Sequence, residues 1–182
     1  QEYEDYFGNK VMYFAIQKEH RRLAVTVKSQ VQKLAGHATA QMNFDSMPWE
    51  QVKLQVMEPG EENFDARQFM SETIMTSANK DITAYASQSF TPGRPILEAA
   101  KDLMKRIFTD FEFNPRFTTV ATPLTEVMKH RKGVCQDFAH MLLVMLKMTG
   151  IPARYVSGYI CPKNHDLRGE GATHAWVDAY IP

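Results

Sequence analysis

The sequence predicts an α+β fold on three observations: strand-like runs open the chain, helical apolar spacing fills its middle, and two further strand-like runs close it. Residues 11–17 (VMYFAIQ) are apolar and rich in strand formers, and Leu23, Val25 and Val27 alternate with Ala24, Thr26 and Lys28 as a half-buried strand does. Joined by the charged run Lys18-Glu19-His20-Arg21, the two read as a hairpin, with Phe7-Gly8-Asn9 before them suited to a turn. The first sixty residues therefore read mainly as β. Pro48, Pro59-Gly60 and the acidic Glu58, Glu61 and Glu62 interrupt that pattern. A domain junction is thus expected within residues 57–63, dividing the chain into an N-terminal β region, 1–60, and a core, 61–182.

After Pro95, the sets Ala99, Leu103, Ile107 and Ala100, Met104, Phe108 recur at helical spacing, with Glu98 near the positive end of the dipole. A shorter helix is predicted over 123–130, with Thr122 as N-cap, Pro123 in the first turn and Leu124, Val127 and Met128 on one face. From Cys135 the apolar positions Phe138, Ala139, Leu142, Leu143 and Leu146 predict a third helix, ended by Gly150 and Pro152 and central to the fold. Strands are expected at 153–161 and 173–181, separated by a polar, Gly-containing loop at 162–172. In the second strand His174, Trp176, Asp178 and Tyr180 share one face, while Ala175, Val177, Ala179 and Ile181 form a small aliphatic face suited to packing inward.

Lysine and arginine number 21 and so do aspartate and glutamate, so no long-range field favours nucleic acid or an anionic membrane as partner. The apolar stretch around 141–146 is too short to span a bilayer, and no signal segment opens the chain. Two cysteines, Cys135 and Cys161, are too few for a disulfide framework and point to a reduced, cytoplasmic setting, with a single bridge as the alternative. The chain begins at Gln1 without an initiator Met and stops directly after a strand-like run, which reads as a fragment or a processed product.

Cys135 stands where a helix begins, and the positive end of the dipole together with a nearby imidazole favours the thiolate that attacks a carbonyl carbon. Gly133 permits a tight approach of substrate backbone, and the first-turn N–H groups, that of Cys135 first, suit a developing oxyanion. The plain alternative is a buried cysteine packed as a small hydrophobe. Among six histidines, His140 is five residues along the same helix and so points well round from Cys135, toward solvent or a neighbouring element. His174 on the last strand is the better base, though its spacing alone reads equally as a structural histidine. Asp178 is four residues from His174, roughly 13 Å along a strand and too far for a direct hydrogen bond. Asp137 points away from Cys135 and suits a cap of its helix. No third member of a triad stands out. Cys161 and His165 are four apart, but a structural zinc site usually brings two close ligand pairs, so no metal is expected. Ser157 lacks the spacing of a nucleophile elbow and reads as a sheet residue near the site. Phe111, Phe113 and Phe117 read as core before groove.

Three blocks together resemble the bacterial transglutaminase-like superfamily: Gly133-Val134-Cys135-Gln136-Asp137-Phe138-Ala139-His140, then residues 150–159 (GIPARYVSGY), then His174-Ala175-Trp176-Val177-Asp178-Ala179-Tyr180. Asp5-Tyr6-Phe7-Gly8-Asn9 and the strands after it resemble the N-terminal β region of the same proteins, so the likeness covers nearly the whole chain. The resemblance implies a papain-like α+β core with Cys135 as nucleophile and His174 as base. Gln136, Tyr159 and Trp176 are candidates for oxyanion or substrate-groove positions. It further implies thiol-dependent acyl transfer or hydrolysis at a peptide or protein amide, without cofactor; the calcium of animal relatives has no acidic cluster here to hold it. The family's third residue, an Asp beyond the His, falls past Pro182. The core therefore reads as truncated at its C-terminal end, and a catalytically incomplete peptide-binding module is the alternative. The sequence is silent on oligomeric state.

Overall fold

Asp5 makes the first turn of the chain: its carboxylate accepts the N–H groups of Phe7 at 2.9 Å and Asn9 at 2.8 Å, folding β1 (Glu2–Glu4) back on β2 (Lys10–Met12) as an antiparallel pair. The computed structural model describes residues 1–28, 46–159 and 173–181. The predicted pairing of 11–17 with 23–27 is replaced by this earlier hairpin, and residues 13–28 contain no strand. Leu23, Val25 and Val27 are all exposed. Alternation makes a strand only when a neighbouring strand and a covering layer take up its backbone and its apolar row, and here neither is among the described residues.

The chain divides into two units, Gln1–Met42 and Asn43–Pro182. The boundary expected at 57–63 thus falls inside the second unit, because α1 (Trp49–Met57) belongs to the helical core and not to a β region. Its N-cap is Pro48, a residue that suits a helix start, and Val52 and Val56, one turn apart, are fully buried. The start of α1 is tied to a distant loop: the Trp49 indole N–H donates to Thr91 O at 3.0 Å, and Glu50 accepts the Gly93 N–H at 2.9 Å. Next come α2 (Glu61–Arg67), one-turn 3-10 segments at Gln68–Met70 and Ile74–Thr76, and α3 (Lys80–Ser87), capped by Asn79 Oδ1 accepting from Asp81 and Ile82 N–H.

The helix predicted after Pro95 is α4 (Ile96–Asp110), which buries Ile96, Ala99, Leu103 and Ile107, while Met104 and Phe108 on the second predicted row are exposed. One apolar row meets the core and the other does not. β3 (Glu112–Phe113) follows. α5 (Leu124–His130) is capped by Pro123, one residue later than predicted; the Thr122 hydroxyl instead accepts the Thr119 N–H at 2.9 Å. Arg131 ends α5 in the left-handed region, φ 54°. Its guanidinium lies 4.7 Å from the Tyr85 ring centroid, and Arg106 lies 4.0 Å from the same ring. The Tyr85 hydroxyl donates to Asp110 at 2.7 Å and is pushed up to about 12 by burial and that bond. β4 (Lys132–Gly133) then pairs in parallel with β3, with Glu112 N–H donating to Arg131 O at 2.7 Å and Asn114 N–H to Gly133 O at 2.8 Å.

α6 (Cys135–Thr149) is the central helix, as its sequence predicts: Ala139, Met141, Leu143, Val144, Met145 and Leu146 are buried, nearly all round the cylinder. Gly150 ends it at φ 86°, where a side chain would be strained, with Ile151 N–H closing onto Leu146 O at 3.0 Å. α3, α5 and the closing sheet pack around α6. That sheet is β5 (Ala153–Gly158) antiparallel to β6 (His174–Ala179), in the register Gly158 to His174 through Ala153 to Ala179. The loop predicted at 162–172 lies outside the described residues. No described helix is long and apolar enough to cross a membrane.

Candidate active site

Val134, the residue before α6, offers no side-chain oxygen to cap the helix. Asp137 does this from inside the first turn. Its Oδ2 accepts the Val134 N–H at 2.8 Å and the Thr118 hydroxyl at 2.6 Å, and the residue is 4% exposed. A carboxylate at this end of a helix is favoured by the dipole as well as by its two donors. Gly133 is explained by the same group: a Cβ built there would stand 2.9 Å from Asp137 Oδ2 and 3.0 Å from Asp137 Cβ. The close approach that its missing side chain permits is thus to Asp137, where the sequence suggested substrate. Among the described residues no side chain caps the N–H groups of Cys135 and Gln136, which begin the helix beside a free, partly buried thiol. Donors and dipole therefore point where a thiolate, or an oxyanion on a bound acyl group, would carry negative charge.

α6 lies against β5 and β6. Tyr155 of the sheet stacks on His140 of α6, with centroids 5.0 Å apart and planes at 29°. Burial raises the Tyr155 phenol above its ordinary range, and the nearby Cys135 charge adds to that. Tyr155 pairs with Val177, and Val177 and Ala179 pack on the core, so this row of the sheet meets α6. The alternate row runs Arg154–Asp178, Val156–Trp176, Gly158–His174. His174 is therefore the first residue of β6, half-buried, at the end of the row that also carries Trp176. The structure brings the helix of Cys135 onto the sheet of His174, and sets Tyr155 rather than His174 in the row beneath the helix.

Burial lowers His140 below the usual histidine range, with Asp137 opposing in part. The unfolded chain therefore takes up this proton first on acidification. The contribution of neutral His140 is whole above about pH 6.5 and is lost as pH falls from there toward the folded pKa. The urea midpoint is expected to fall between about pH 7.5 and pH 5.5, less steeply in His140→Gln. An unaltered slope in that variant would remove His140 as the cause.

A cavity of ≈ 300 Å³ opens beside the first turns of α6, lined by Gln136, Asp137 and His140 together with residues from 74–82 and 120–125. Gln136 is thus on a cavity wall. Trp176 is 39% exposed, and a Cβ at Gly158 would stand 2.8 Å from its ring, so the rim of the indole lies against Gly158. Tyr159 is 68% exposed just past β5. Asp178 is bonded to Arg154 at 3.1 Å, and so is occupied elsewhere, as its distance from His174 required. Ser157 is an exposed residue of β5 opposite Ala175. Phe111 is core, whereas Phe113 and Phe117 are largely exposed. Cys161 and His165 lie outside the described residues, among which no three of His, Cys, Asp and Glu gather to hold a metal. Sequence reasoning missed Thr118 and Tyr155. Tyr155 emerges only from the register of β5 on β6, which pairs it with the aliphatic face of β6; nothing local marks Thr118.

The chain matches the profile of the transglutaminase-like superfamily over residues 83–182 and that of the bacterial transglutaminase-like N-terminal region over residues 1–32. An uncharacterized protein of Mycobacterium tuberculosis is 34% identical over 98% of this chain, and one of Mycobacterium leprae 29% identical over the same share. The chain spans 57% and 61% of the length of those relatives. Among solved structures, one from Cytophaga hutchinsonii, provisionally named a cysteine protease, superposes with a TM-score of 0.57 and 25% identity over 70% of this chain and 40% of that one. The helix-opening Cys135, the sheet it rests on and both profile matches agree: the chain belongs to the transglutaminase-like superfamily.

Proposed function

We propose that this chain carries the thiol site of an enzyme that cleaves or exchanges amide bonds through a Cys135 thioester, acting on a peptide or protein substrate. The observation that carries the reading is the first turn of α6, where a free thiol stands beside uncapped N–H groups at the positive end of a buried helix. The Cys135 thiolate attacks the carbonyl carbon, and the N–H groups of Cys135 and Gln136 receive the oxyanion. His174 takes the thiol proton and gives it to the leaving amine, and water or a second amine then releases the acyl group. Support for His174 comes from its strand, which packs with α6, and from the family to which the chain belongs. The division of the chain into an N-terminal β region and a transglutaminase-like core is part of the same reading, with the boundary near residue 42. The name given to the Cytophaga hutchinsonii protein favours peptide hydrolysis over amine transfer.

Alkylation by iodoacetamide across a pH series tests the nucleophile directly. Cys135 is expected to react at neutral pH at least about tenfold faster than Cys161, read by mass spectrometry of the two peptides. Equal rates would remove the activated thiol.

A further inference from the structure

The Thr118 hydroxyl donates to Asp137 Oδ2 at 2.6 Å, a short bond from a neutral donor to a carboxylate. Thr118 is half-buried and held from both sides: Phe117 N–H closes a turn onto Asn114 O at 3.2 Å, and Thr119 N–H donates to the Thr122 hydroxyl at 2.9 Å. Asn114 N–H in turn donates to Gly133 O at 2.8 Å, so the hydroxyl is fastened to the strand that leads into Cys135. Thr118 thus reaches across nineteen residues to one oxygen of one side chain, and the reaction proposed above leaves that bond without a part.

Asp137 is the third residue of α6, and its side chain is short. Such a side chain accepts either from the residue before the helix, as here from Val134 N–H at 2.8 Å, or from its own N–H and those of its neighbours in the first turn. The first-turn N–H groups of Cys135, Gln136 and Asp137 have no capping side chain among the described residues. They stand at the positive end of the dipole, where a carboxylate is most strongly drawn. Two donors now hold Oδ2 away from them, whereas Val134 alone would set one donor against several. We propose that Thr118 is a positioning residue of the thiol site: its hydroxyl pins the Asp137 carboxylate to the Val134 N–H and so keeps it off the N–H groups of Cys135 and Gln136, which stay free for the oxyanion. This role rests on Cys135 as the nucleophile and adds to it what keeps the oxyanion donors unoccupied.

Two reagents that meet the same thiol differ in their need for an oxyanion. With p-nitrophenyl acetate the thiolate sulfur adds to the carbonyl carbon, the carbonyl oxygen takes the charge, and p-nitrophenolate leaves as the thioester forms; iodoacetamide loses iodide from a saturated carbon, with no oxyanion. The test is the ratio of Cys135 acetylation to Cys135 alkylation, read by mass spectrometry on the full-length protein at the high-pH plateau of each rate. At the plateau thiol ionisation cancels and the ratio reports oxyanion binding. Thr118→Val and Thr118→Ala are each expected to lower it at least about tenfold, and Thr118→Ser to restore it. Asp137→Ala leaves no carboxylate to turn inward, so it is expected to lower the ratio less than Thr118→Val does, and Thr118→Val added to it to lower the ratio no further. A ratio unchanged in Thr118→Val and Thr118→Ala, or lowered as far by Asp137→Ala alone, would overturn the positioning role while leaving the nucleophile in place. Failure of iodoacetamide to label Cys135 in the parent protein overturns both.

Discussion

Replacing Cys135 with alanine is expected to lower acyl transfer by the full gene product on the order of 10⁵–10⁶-fold, to the level of the residual binding site, while leaving the fold intact. The size follows from the chemistry: without the thiol no thioester forms, and the remaining N–H groups can only polarise a carbonyl for attack by water. Cys135→Ser is expected to restore little of the loss, because a hydroxyl is far harder to deprotonate than a thiol. His174→Ala is expected to cost nearly as much, and the double variant little more than either alone, since nucleophile and base act as one unit. His140→Gln is the informative comparison. Its imidazole is stacked on Tyr155 and serves packing, so activity near neutral pH is expected to survive. Loss of activity in His140→Gln with retention in His174→Ala would reassign the base.

Gly133→Ala and Asp137→Ala are each expected to destabilise the fold by about 2–4 kcal/mol, and together by clearly less than their sum. Asp137→Ala strands a backbone N–H and a hydroxyl that are both part-buried, each costing roughly 1–3 kcal/mol. Gly133→Ala pushes a methyl group into the space held by the Asp137 carboxylate, and the cap must move or break. Once that carboxylate is gone the methyl group meets far less, which is the source of the non-additivity. Urea midpoints of the four proteins measure it; strict additivity would mean that the two residues do not share this contact. Asp137→Asn keeps an oxygen for Val134 and is expected to recover part of the loss.

The helices bearing the site were legible because their sequences carry two independent signals. α6 has apolar positions at helical spacing and a Gly150 that must stop it; α4 has the same spacing after a proline. α1 is hard to read because only Val52 and Val56 mark its inner face, and the prolines around it suit a break in a sheet as well as the helix start that one of them makes. The early strands misled for the opposite reason. Alternation in Leu23, Val25 and Val27 is a property of one segment, whereas a strand needs a partner. The helix-opening position of Cys135 and the capping role of Asp137 followed from local position. Thr118 could not, since its bond to Asp137 crosses nineteen residues of chain, and Tyr155 needed the register of β5 on β6.

The two-residue ladder between β3 and β4 carries a consequence out of proportion to its length. It grips the chain one residue before Val134, while Arg131 just ahead of it packs over the rings of both Tyr85 and Phe111. Cys135 is thereby anchored to α3 and α4 through its own backbone, upstream, and not only through the helix it begins. In the proposed reaction this flank of the thiol is therefore set during folding, ahead of substrate. Amide hydrogen exchange would express that as a sequence in time: Glu112, Asn114 and Val134 should open with the global unfolding of the core, long after the mouth of the neighbouring cavity has begun to breathe.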